Sequence, residues 1–345
     1  MKSPFIYLFA CLFVLTVTAQ KKTISLDQIW NGSFRTQEMT ALHSMNNGQQ
    51  YSVLNFNRSS RSTSIDLYDY KTLSKINTIA TSQTMDAIPY FTNYTFSEDE
   101  SQVILETDTE PIYRYSALGL YYVYNTKSKS LEKISEEKIQ EPTFSPDGTK
   151  VAYGRENNLF IKDLVSGTTK QITFDGQKNK IINGITDWVY EEEFAFVRAF
   201  EWNATSNKIA FIRFDETDVP EFSMDIYGTE LYQTQEVFKY PKAGETNATV
   251  SLHFYDLTTD TTSSIALPKD YNDFYIPRIK WTKNPDILSA QYLNRHQNNL
   301  DLWLLNPVTN QANLVLSEQD KAYVDVTDNL TFLNDTQLAC IFHVF

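Results

Sequence analysis

The segment Asn183-Gly184-Ile185-Thr186-Asp187-Trp188-Val189-Tyr190-Glu191-Glu192-Glu193-Phe194 sets three adjacent carboxylates among aromatic residues. Like charges side by side repel, and a run of acids is ordinarily a solvated face. Here Trp188, Tyr190, Phe194 and Phe196 surround the run, so one or two of the acids should lie against apolar surface, where an unpaired charge is unfavourable. Such a site needs a cation. Upstream, Tyr113-Arg114-Tyr115-Ser116 offers a guanidinium whose fixed fork of donors suits a carbonyl. On pattern alone, Arg114 is equally a strand arginine whose stem lies over Tyr113 and Tyr115.

Groups that break covalent bonds are harder to find. There is no G-x-S-x-G, the turn that presents a hydrolase serine. His43, His253, His296 and His343 stand in strand-like or polar contexts that suit structural histidines. Neither C-x-x-C nor H-E-x-x-H nor an acidic calcium loop occurs, and no glycine-rich phosphate loop does. The expectation is a binding site without catalytic residues, metal or cofactor.

The elements that must position these residues are strands. The chain holds 22 Phe and 21 Tyr with many Thr, Ile and Val, and shows no long helical periodicity. One unit recurs: an aromatic residue, a polar tight turn, then an apolar strand. Phe96 leads to Val103-Ile104-Leu105, Phe144 through Ser145-Pro146-Asp147-Gly148 to Val151-Ala152-Tyr153, and Trp202 to Ile209-Ala210-Phe211. Trp281 leads to Ile287-Leu288 and Phe332 to Leu338-Ala339. Anchors roughly 50 to 80 residues apart fit four-stranded propeller blades better than a sandwich. An earlier blade takes in Tyr51–Leu54 and Ile65–Tyr68, and the least regular segment, about 215–249, should leave the blade pattern. The fold class expected is therefore all-β, a propeller of four-stranded blades. The last repeat opens at Phe332 and the chain stops at Phe345, so the propeller is expected to be incomplete.

Residues 1–20 read as a secretory signal peptide: Lys2, an apolar run from Phe5 to Val17, then Thr18-Ala19. The run is shorter than the roughly 20 residues of a spanning helix, so an exported protein, periplasmic or secreted and with no stable membrane anchor, is expected. Cleavage after Ala19 removes Cys11 and leaves Cys340 alone, which excludes an internal disulfide. The formal charge of −13 excludes nucleic acid as a partner and suits amine-bearing ligands.

The segment from Gly184 to Phe194 resembles the double-glutamate motif of the dipeptidyl peptidase IV family. The likeness continues in order through Trp202 with Ile209-Ala210-Phe211, Phe214 to Pro220, Tyr240-Pro241-Lys242-Ala243-Gly244 with Asn247, and Arg295 within Gln291–Asn298. Tyr113-Arg114-Tyr115-Ser116 resembles the segment bearing that family's substrate-binding arginine. The resemblance implies that residues 21–345 are the N-terminal part of an eight-bladed propeller. It implies that Glu192 and Glu193, preceded by Glu191, bind the free α-ammonium of a peptide, and that Arg114 binds a substrate carbonyl. Two carboxylates satisfy two of an ammonium's three donors, whereas an acylated terminus offers no ammonium. The implied whole is a serine exopeptidase that releases N-terminal dipeptides, X-Pro preferred, with its Ser-Asp-His centre outside this chain. Alone, the chain is expected to be inactive. A homodimer through the excursion around 215–249 is also implied. The competing reading is a stand-alone extracytoplasmic propeller that binds peptides, glycans or proteins without catalysis.

Overall fold

A computed structural model describes residues 23–36 and 41–334, together with the backbone of 338 and 339. The leader and the segment Cys340–Phe345 lie outside the described residues. Two units divide the chain, Met1–Ala41 and Leu42–Phe345. In the first, a short helix, Leu26–Trp30, starts at a Ser25 capping box in which Ser25 and Gln28 bond reciprocally.

The second unit is a series of antiparallel meanders. β1 (Leu42–Ser44), β2 (Gln50–Asn57), β3 (Ser62–Asp69) and β4 (Lys75–Thr81) form the first blade. β5 (Asn93–Phe96), β6 (Gln102–Pro111), β7 (Ala117–Asn125) and β8 (Leu131–Lys133) form the second, and β9 (Gln140–Phe144) to β12 (Thr169–Gln171) the third. The fourth blade runs from β13 (Ile181–Asn183) to β19 (Thr261–Ser264), and the fifth from β20 (Phe274–Tyr275) to β24 (Gln311–Gln319). β25 (Thr331–Phe332) and β26 (Leu338–Ala339) pair as a further two-stranded sheet. Among the described residues no sheet closes on itself, and the architecture is an incomplete propeller of four-stranded blades.

Blade faces are buried against the next blade, so the apolar clusters follow chain order. Ile65 and Ala80 pack with Val103 and Leu105; Ile104 and Val123 with Phe144 and Val151; Ile161 with Phe211. Leu252 and Phe254 join Leu288 and Tyr292, and Leu302 packs on Leu330 and Phe332. Burying both faces explains why a middle strand such as β22 (Leu288–Asn294) is buried from Leu288 to Leu293.

The aromatic anchors end the opening strands of the second to fifth blades and of the last pair, and the polar turns at this position, the first blade's included, bond from blade to blade. Asn46 Nδ2 donates to Glu98 O (2.7 Å), Gln102 Nε2 to Gly148 O (2.8 Å), Asp147 N to Ser206 Oγ (3.0 Å) and Asn203 Nδ2 to Pro285 O (3.1 Å). Four of these turns use a left-handed residue: Gly48 and Gly148 supply it in two, and Glu100 and Ser206 take the same conformation in the others, so few glycines suffice.

Gly184 has no such latitude. Its φ is +70°, and a Cβ there would lie 2.7 Å from Leu159 Cδ1 of the preceding blade. Gly184→Ala should lower unfolding free energy by ~1–3 kcal/mol through overpacking and left-handed strain together. Gly167→Ala, with φ +72° but nothing within 4 Å, should lose clearly less. Denaturant midpoints of the two variants check this, and equal losses would contradict it.

Candidate amine-binding site

The opening strand of the fourth blade is interrupted. β13 and β14 (Phe200–Trp202) both pair along one edge of β15 (Lys208–Asp215), and the chain between them leaves the sheet. Its neck is closed by Thr186 N donating to Val197 O (3.0 Å) and Ala199 N to Gly184 O (2.9 Å). Within it lies the helix Trp188–Phe194, begun by Asp187, whose Oδ1 accepts from Tyr190 N (3.0 Å), and ended by Ala195 in the left-handed conformation. The acidic run therefore sits on a seven-residue helix. The residue pattern shows no such element; its only local sign is the Asp187 cap.

The fifth blade holds this helix from one side, where its own opening edge breaks between β20 and β21 (Ile279–Trp281), both on β22. Ile276 N donates to Tyr190 OH (2.8 Å), and Arg278 Nη2 to the helix-terminal Phe194 O (2.9 Å). Arg278 also spans Asp328 through Nε and lies 5.0 Å over Phe196. A cation at a helix C-terminus opposes the negative end of its dipole. Tyr190 is fully buried and meets Phe214 edge-on at 4.8 Å.

From the second blade comes the loop that follows β6. Ile112 N donates to Ser116 O (2.8 Å) and Tyr113 N to Ser116 Oγ (3.2 Å), closing a tight turn with Arg114 at its tip. The excursion from the fourth blade closes the third side. It is a hairpin of β16 (Glu221–Ile226) and β17 (Thr234–Lys239), in which Phe222 pairs with Phe238. Phe238 meets Tyr113 at 5.9 Å, and Tyr240 meets Trp188 at 4.3 Å.

The structure brings all four expected site residues together. Arg114 Nε bonds Glu192 Oε2 at 2.8 Å, with the arginine side chain 65% exposed and the glutamate 17%. Glu191 is buried, and its Oε1 accepts from Tyr115 N (2.6 Å) and Ser116 N (2.8 Å). Glu193 is exposed. Two outward carboxylates and one guanidinium leave one formal negative charge at the surface. Tyr275, in contact with Phe194 at 5.2 Å, accepts from Asn247 Nδ2 (2.7 Å), and Asn247 and Arg295 line a neighbouring cavity of about 850 Å³. Sequence reasoning named Tyr190 only as an aromatic neighbour of the acids and passed over Ile276 and Arg278, because nothing in the primary structure ties residues over eighty positions apart.

Beneath the helix, burial pushes the Asp187 carboxyl up to about 6 against the amides it accepts from. Burial also lifts Glu216 to about 7, with Asp187 adding to the rise and Lys239 opposing it. Tyr113 is raised too, first by burial and then by Glu216 and Glu191. Among the described residues, no cluster of His, Cys, Asp or Glu could hold a metal ion, and no helix is long and apolar enough to cross a membrane.

Fold and site together define a propeller-type β domain that carries an acidic cluster on an interruption of one blade. Residues 97–344 match the model of the dipeptidyl peptidase IV (DPP IV) N-terminal region, and the chain belongs to that family. Human prolyl endopeptidase FAP is 32% identical over 285 residues, which are 80% of this chain and 36% of that protein. A probable dipeptidyl-aminopeptidase B of Arthroderma gypseum is 37% identical over 193 residues, covering 51% and 21% respectively. The crystal structure of Porphyromonas gingivalis dipeptidyl peptidase 4 superposes with a TM-score of 0.82 at 39% identity, over 88% of this chain and 43% of that one. The chain thus spans less than half the length of each of these relatives.

Because Asp187 and Glu216 hold protons to higher pH when folded than when unfolded, the native state binds more protons between about pH 4 and 7. Their contribution to stability is therefore full at low pH and falls as pH rises through that window. Melting temperature should drop between pH 5 and 8, and Glu216→Gln, which stays neutral, should flatten the drop. An unchanged slope in the variant would contradict this assignment.

Proposed function

We propose that Glu192 and Glu193 receive the α-ammonium of a peptide while Arg114 holds a carbonyl of the same peptide, Glu191 completing the acidic set from within. On this reading the chain is the N-terminus-reading, substrate-gating propeller of a dipeptidyl peptidase IV-like serine exopeptidase. The whole enzyme would release N-terminal dipeptides, X-Pro preferred, by means of residues outside this chain, which is itself not catalytic.

One observation carries the reading: Arg114 and Glu192 are already paired at 2.8 Å beside an exposed Glu193, so the cluster lacks one positive charge. An exposed ion pair contributes only about 0–1 kcal/mol, so Arg114 is free to turn to a carbonyl when an ammonium takes its place. Family membership supports the same assignment. The reading includes export to the periplasm or medium, directed by residues 1–20. It also includes a homodimer through the hairpin arm around 215–249, whose Tyr227, Leu231 and Tyr232 are exposed. Peptides with a free amino terminus are the expected partners, and nucleic acid has no part.

Calorimetric titration with alanylprolinamide and its N-acetyl derivative tests the proposal. The free amine should bind at least ~10-fold tighter, about 1.4 kcal/mol. Glu192→Gln and Glu193→Gln should each remove most of that preference. Equal affinity for the two ligands would overturn it.

A further inference from the structure

Glu191 is set apart from its two neighbours by what it touches. It is 1% exposed, and one oxygen accepts two consecutive backbone amides, Tyr115 N at 2.6 Å and Ser116 N at 2.8 Å. Those amides follow Arg114 directly. The rest of the turn is closed by Ser116 alone, through its carbonyl and its hydroxyl. Arg114 itself reaches Glu192, the residue after Glu191 on the helix, at 2.8 Å.

We infer that Glu191 is a positioning residue that clamps the Arg114 loop of the second blade to the helix of the fourth, so that carbonyl holder and ammonium acceptors form one preassembled unit. The inference rests on the amine-binding reading for its functional consequence and on geometry alone for the clamp. Physical chemistry favours the division of labour. A carboxylate accepting two amides makes strong charge-assisted bonds, and a buried one committed to them is a poor direct partner for an arriving ammonium. The loop gains from the same contact, because two N–H groups that would otherwise lack acceptors are satisfied away from water. An arginine on a turn closed only on itself would sample many positions; anchored by two adjacent amides, its Cα is held one residue from the clamp.

A double-mutant cycle separates this role from direct contact. Dissociation constants for alanylprolinamide are measured for the full chain, Arg114→Ala, Glu191→Ala, the double variant and Glu191→Gln. If Glu191 acts through Arg114, Glu191→Ala should weaken binding about as much as Arg114→Ala, roughly 10-fold, and the double variant should be no weaker than Arg114→Ala by more than ~2-fold. Glu191→Gln keeps an oxygen that can accept both amides and should stay within ~3-fold of the unmodified chain. Losses that multiply in the double variant would mean independent or direct action and would overturn the inference, as would unchanged binding by Glu191→Ala. Hydrogen exchange supplies a readout that needs neither ligand nor variant: the Tyr115 and Ser116 amides should be protected in the unmodified chain, and fast exchange there would sink the clamp. If the unmodified chain fails to prefer the free amine over the acetylated ligand, the amine reading falls while this protection still decides the clamp.

Discussion

Three neighbouring carboxylates cannot share one environment, and the site is organised by giving each its own. Glu191 turns inward to two backbone amides, Glu192 meets Arg114, and Glu193 stays in water. A short helix makes this possible, because consecutive residues on it point about 100° apart, whereas a strand would send the first and third to the same face. The helix is too short to stand by propensity, so its stability must come from tertiary partners. Tyr190 in the core, Arg278 at the C-terminus and the Glu191 clamp are those partners.

The frame around it follows from how blades pack. The second to fifth blades each bury both faces against their neighbours through successive apolar clusters, and matching turns bond across the same interfaces. Three irregular stretches of backbone meet at the site: the loop joining the inner strands β6 and β7, the break between β13 and β14, and the break between β20 and β21. The hairpin arm adds aromatic contacts from Phe238 and Tyr240. The proposed site thus sits where regular pairing stops, on a scaffold held by paired strands.

Much of this was legible in the residue order. Phe96, Phe144, Trp202, Trp281 and Phe332 each end an opening strand, and the excursion near 215–249 is a hairpin outside the blade. These features are local: an aromatic next to a polar turn announces itself within ten residues. The acidic run and Arg114 were legible as candidates for the same reason. The helix was not, since seven residues carry little periodicity and only Asp187 marks its start. Nor were the bonds of Ile276 and Arg278 to it, or the inward turn of Glu191, because the geometry of packed blades decides them. No single residue type marks the left-handed turn positions either, since Gly48 and Gly148 occupy two of them and Glu100 and Ser206 two others.

A crystal structure of the full chain with bound alanylprolinamide tests the central claim most directly. The account predicts the ligand nitrogen about 3 Å from carboxylate oxygens of both Glu192 and Glu193, Arg114 turned from Glu192 to a ligand carbonyl, and Glu191 still on the amides of Tyr115 and Ser116. A bound ligand whose amino group points into solvent, with the Arg114–Glu192 pair intact at 2.8 Å, would contradict it.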